Sequence, residues 1–230
     1  TYADRTIYSF SDLTQSIGKF TNAGVSLDDA VKAIQGISNE AAVSGANANE
    51  ASRAMYNFAQ ALSAGAVKLI DWKSIENANM ATVEFKQSLL DTALAMGTVV
   101  KVGDEYQTTT TDLQGKVSDL FTSTHAFNDS LSAQWMTTDV LVQTLSNYAT
   151  DIRDMTEQEK KAYEEKLRGI GYTEEQIKAI EKLGQKAFDS AQDVKTFTQL
   201  MDTLKEAAGS GWAQTFEILF GDLEEAKVLW

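Results

Sequence analysis

Apolar residues recur at three- and four-residue spacing along most of this chain, the beat of helices that bury one face. Phe10, Leu13, Ile17 and Phe20 open the pattern, and Gly24 follows as a residue that tolerates a left-handed helix end. Ser26, with Asp29 three positions on, predicts a second helix with Leu27, Val31, Ile34 and Ile37 as its stripe and Gly45 as its stop. Asn47, with Glu50 at the box position, predicts a third carrying Met55, Phe58 and Leu62 and closed by Gly65. Glycines 24, 45 and 65 thus mark a period of about 20 residues, which is one helix and a turn, not a two-helix repeat. An up-and-down bundle or short helical array is expected in preference to a solenoid.

Asp71 predicts a short helix around Trp72 to Asn79, and a longer one follows with Phe85, Leu89, Ala93 and Met96 on one face and Gly97 as its stop. The texture then changes. Positions 98–111 are rich in β-branched residues around Gly103-Asp104, the convincing hairpin signal of the chain. Two strands alone are marginal in water, so this ribbon must lean on helices. Beyond it, Phe127, Leu131 and Trp135 fall at four-residue spacing, and Val140, Leu141, Leu145, Tyr148 and Ile152 form another helical face. Thr156 with Glu159 and Thr173 with Gln176 mark two more helix starts, separated by a turn at Arg168-Gly169-Ile170-Gly171. Thr196 opens a helix that Gly209-Ser210-Gly211 ends, and Trp212, Phe216, Leu219 and Phe220 follow. The expected fold is mainly α: an irregular multi-helix bundle or array of short antiparallel helices with one β-hairpin near 98–111. The expected organisation is a helical subdomain at 1–97, the hairpin insertion at 98–111 and a second helical subdomain at 112–230, with a further boundary allowed near residue 150.

Composition sharpens this picture by what it lacks. There is no proline, where usage of about 5 % would give roughly 11, and proline is what breaks helices and builds extended linkers. Cysteine is absent and His125 is the sole histidine, which removes most nucleophile, redox and metal chemistry. At 43 % hydrophobic residues the chain can bury a core, and its net charge of −13 opposes non-specific binding to nucleic acid or anionic membrane. The longest apolar candidate, 93–100, contains a glycine and is too short to span a bilayer. The chain begins with Thr1 and stops on Val228-Leu229-Trp230, which suggests a segment of something longer.

Candidate chemistry is correspondingly thin. A catalytic histidine needs an orienting acid and a proton donor or acceptor within reach, and nothing nominates these for His125. Neither a Ca²⁺ loop nor a glycine-rich phosphate motif is present. The acid pairs Asp28-Asp29, Glu164-Glu165, Glu174-Glu175 and Glu224-Glu225 diverge by about 100° on a helix, and first-turn acids offset the helix dipole. No catalytic residue, cofactor or metal is expected. Tryptophans serve both cores and interfaces, which leaves Trp72, Lys73, Trp212, Phe216, Phe220 and Trp230 as candidate partner contacts.

Three stretches together resemble the tape measure proteins of long-tailed bacteriophages and prophages. The first runs over 20–30, with Ala42-Val43-Ser44-Gly45-Ala46-Asn47 and Ala59-Gln60-Ala61-Leu62-Ser63-Ala64-Gly65. The second is Asp71-Trp72-Lys73-Ser74-Ile75-Glu76-Asn77-Ala78-Asn79-Met80. The third is Gly209-Ser210-Gly211-Trp212 continuing into Phe220-Gly221-Asp222-Leu223-Glu224-Glu225-Ala226-Lys227. The resemblance implies an all-α structural segment of a protein that sets tail length and takes part in tail assembly and DNA ejection. It implies tail assembly chaperones, the tail tube protein and tail-tip proteins as partners, with self-association allowed and neither specific nucleic acid nor a membrane span. It places the protein in the virion tail, and in the host bacterial cytoplasm during assembly. Long coiled, low-complexity stretches are absent, so a folded module beside the ruler is expected. Two contrasting readings are a cytoplasmic helical scaffold or adaptor unrelated to phage, and an embedded cell-wall hydrolase domain.

Overall fold

The structure, a computed structural model, describes residues 18–192 apart from 19, 23, 47, 113 and 118. Helical residues at 18 and 20–22 lead into α1 (Leu27–Ser44), α2 (Ala48–Ser63), α3 (Leu69–Asn77) and α4 (Val83–Ala95). The hairpin β1 (Val99–Val102) and β2 (Glu105–Thr108) comes next. Then follow α5 (Phe127–Ser130) with a 3-10 turn at Leu131–Ala133, α6 (Thr138–Ala149), α7 (Glu157–Ile170) and α8 (Glu174–Gln192). The mainly helical fold with one hairpin is as expected. The stripe Phe10, Leu13 and Ile17, the Asn47 cap, Met55 as a packing residue and everything from Thr196 onward lie outside what is described.

Side-chain caps set most of the helix starts. Ser26 accepts from the Asp29 backbone at 3.2 Å to begin α1, and Thr82 and Thr137 do the same for α4 and α6. Thr156 with Glu159 and Thr173 with Gln176 each exchange bonds in both directions, so α7 and α8 open on reciprocal boxes. Gly45 closes α1 with φ +75°, a conformation that an L side chain resists.

Three local expectations are corrected. α3 begins at Leu69, because Asp71 accepts the Lys68 N–H at 3.1 Å from inside the first turn instead of preceding it. α7 continues through Ile170, so the turn is made by Gly171 alone, at φ +117°. Phe127, Leu131 and Trp135 do not share one helix, since Gln134 at φ +54° breaks the chain before Trp135, yet all three are buried.

The core is built around α1, which packs along α6, with α8 against both, α4 against α6, and α2 against α1 and α3. One continuous buried cluster runs from Phe20 to Ala187 and so takes side chains from both sides of the hairpin. α1 and α6 approach so closely that a Cβ on Gly36 would lie 1.9 Å from the Leu145 carbonyl oxygen. The hairpin pairs Val99 with Thr108 through Val102 with Glu105. It leans on the rest through Tyr106, which exchanges backbone bonds of 2.9 and 3.0 Å with Phe121 and accepts from Gln87 at 2.8 Å. A buried polar cluster ties the α7–α8 pair to α4 and α6. There the Tyr172 hydroxyl donates to Thr92 at 2.7 Å, Asn147 donates to Tyr172 at 3.1 Å, and the Thr92 and Thr144 hydroxyls sit 2.8 Å apart.

Candidate partner-contact site

α3 carries both of the described candidates, and its two faces separate them. Trp72 and Ile75, three residues apart and so on one face of the helix, point inward and are fully buried. Trp72 stacks on Phe85 at 6.1 Å and meets Phe127 at 5.2 Å between ring centroids. From these two the rings continue without a gap, through Tyr148 on one side and through Trp135, Phe121 and Tyr106 on the other. The Trp72 indole N–H has no hydrogen-bond acceptor within this packing. Trp72 therefore joins α3, α4 and α5 from inside and offers no surface in this fold.

Lys73 faces outward. It donates to Glu76 at 2.8 Å, and Asn128 donates to the other oxygen of the same carboxylate at 2.8 Å. Burial works against the charge on Glu76, but the hydrogen bonds from Lys73 and Asn128 outweigh it and hold the carboxyl below its ordinary range. Beside Lys73 on the exposed side of α3 lie Leu69, 43 % exposed, and Ile70, 78 % exposed. A cleft of about 610 Å³ opens next to them, bounded by Lys68, Leu69, Asp112, Asn128 and Asp129. Leu69 and Ile70 are not among the sequence candidates, and Leu69, three residues before Trp72, shares the spacing of the buried stripe yet is exposed. Trp212, Phe216, Phe220 and Trp230 lie outside the described residues.

The chemistry elsewhere is that of packing. His125 is exposed, and its backbone N–H and C=O are held in a turn by Thr122. Among the described residues no group of three or more His, Cys, Asp or Glu could hold a metal ion, and no helix is long and apolar enough to cross a membrane. A cleft of about 540 Å³ between α4 and α8 is lined by Thr92, Asn147 and Tyr172, whose polar atoms already bond to one another.

Residues 1–89 match the family model described as Tape measure protein. No curated protein and no solved structure matches the chain. The matched stretch contains α1, α2, α3 and the start of α4, hence both Trp72 and Lys73, and it ends at Leu89 inside the buried core. Two of the three resembling stretches, those at 20–65 and 71–80, fall within it. Over residues 1–89 this chain is accordingly similar to the tape measure protein family.

Proposed function

We propose that this segment is a folded structural module of a phage tail tape measure protein, acting in tail assembly, tail length determination and DNA ejection through protein–protein contacts. Tail assembly chaperones, the tail tube protein and tail-tip proteins are its partners in this reading, within the virion tail and, during assembly, in the bacterial cytoplasm. It is not an enzyme. The observation that carries the proposal is that the helices of the matched region close their core on helices beyond it: α1, inside residues 1–89, packs on α6 and α8. Among the described residues, side chains from before and after the 98–111 hairpin thus share one buried core. The longest helix among those described, α8, has 19 residues and spans about 28 Å at 1.5 Å per residue. A ruler made of one uninterrupted helix of 230 residues would span roughly 345 Å by the same rise.

Deleting residues 1–230 from the tape measure protein is therefore expected to abort tail assembly or to cripple infection. Electron micrographs of the deletion phage decide it. Infectious virions with tails uniformly shorter by about 345 Å would show that the segment is ruler and not module.

The exposed face of α3 gives a finer test. Lys73→Glu reverses a charge that is more than half exposed, so folding stability should change by less than about 1 kcal/mol. If this face is a contact, assembled tails in the mutant phage fall while the isolated chain unfolds at the same denaturant concentration as wild type. Normal tail yield with unchanged folding would remove Lys73 from the contact surface.

A further inference from the structure

Glu40 is a carboxyl with no exposed surface, one helical turn along α1 from the close approach of Gly36 to Leu145 on α6. It lies on α1 and points between α4 and α6. From α4, the Thr82 hydroxyl approaches Oε1 at 3.4 Å, and Glu84 contributes a second negative charge nearby. From α6, the Tyr148 hydroxyl faces it, itself 3.3 Å from Ser88 Oγ. From α8, Lys186 is the cation facing this cluster, and its ammonium is engaged by Glu84 at 2.5 Å. Glu40 Oε2 has no hydrogen-bond partner. An ionised carboxylate would need several donors here, whereas a neutral carboxylic acid needs far less.

We propose that Glu40 is a proton-held latch: the folded segment keeps this carboxyl neutral, and removing its proton loosens the junction of α1 with α4 and α6. The environment acts in the same direction. Burial, reinforced by the charge on Glu84 and opposed by Tyr148, Thr82 and Lys186, pushes the carboxyl up from 4.5 to about 8. Below the ordinary carboxylate range both folded and unfolded chains hold the proton, and stability from this group is complete. Between there and about 8 only the folded chain holds it, so each pH unit costs a factor of about ten in the folding equilibrium. Above about 8 the loss is complete.

The test is equilibrium unfolding of the full chain from pH 5 to 8.5, wild type against Glu40→Gln, which keeps the shape and removes the ionisation. The ratio of the two unfolding constants should change by about tenfold per pH unit, with wild type losing ground as pH rises. A ratio that stays flat across the range overturns the latch. Should Glu40→Gln fail to fold, an NMR titration of the wild-type glutamate carboxyls replaces it. One carboxyl then titrates far above the others if the proposal holds, and none does if it fails. Glu84→Gln supplies an independent check, since it removes the like charge and frees Lys186 to face Glu40. The alkaline end of the wild-type slope should then move to lower pH, and an unmoved slope counts against the arrangement described.

Discussion

Replacing Gly36 with alanine is expected to destabilise the folded segment by about 2–4 kcal/mol, the upper range for forcing extra volume into a closed interface. An alanine Cβ would meet the Leu145 oxygen at 1.9 Å, its carbonyl carbon at 2.6 Å and its Cα at 2.9 Å. These are backbone atoms of α6, so no side chain can swing aside; the two helices must part along the longest contact in the core. The gain of about 1 kcal/mol that alanine brings over glycine inside a helix is too small to offset that separation. Gly169 in α7 is the matched control: it is also helical, it is exposed, and a Cβ there meets nothing within 4 Å. Gly169→Ala should stabilise by about 0.5–1 kcal/mol through helix propensity alone. Denaturant unfolding of the two variants beside wild type measures both effects. Equal midpoints for Gly36→Ala and Gly169→Ala would mean that α1 and α6 do not touch as described.

These two glycines also mark what could be read along the chain and what could not. Ser26, Thr156 and Thr173 announce helix starts because the cap and its partner lie within three residues, and Gly45 announces an end because the left-handed turn is local. Such signals need no knowledge of the rest of the fold. Gly36 and Gly184 differ in kind. A Cβ at Gly184 would lie 1.9 Å from the Thr150 oxygen, so both glycines exist for a helix far away in sequence. Nothing within a few residues of either position shows which partner requires it. Glu40 is equally silent, since an acid in the later turns of the helical run 27–44 reads as a solvent-facing residue until Thr82, Tyr148 and Lys186 are brought to it. At the candidate contact site, sequence placed Trp72 and Lys73 side by side; only the packing of Phe85 and Phe127 on one flank assigns the first to the interior and leaves the second outside.

Trp72→Ala is expected to cost about 3–5 kcal/mol, the usual range for deleting a buried aromatic side chain. The site cannot collapse easily, because the ring is wedged between Phe85 on α4 and Phe127 on α5, and those two lead on to Tyr148 and Trp135. Removing the central ring therefore breaks the aromatic run into two parts. Trp72→Phe should cost much less. It keeps one ring between the same neighbours and also removes the indole N–H that has no acceptor, a buried group whose unmade bond is worth about 1–3 kcal/mol. The comparison also separates packing from contact. If Trp72 serves the core, phage carrying Trp72→Phe form tails normally, and the Trp72→Ala chain unfolds at much lower denaturant. A Trp72→Ala chain as stable as wild type, in a phage that still fails to assemble tails, would place this side chain on a partner and overturn its position in the core.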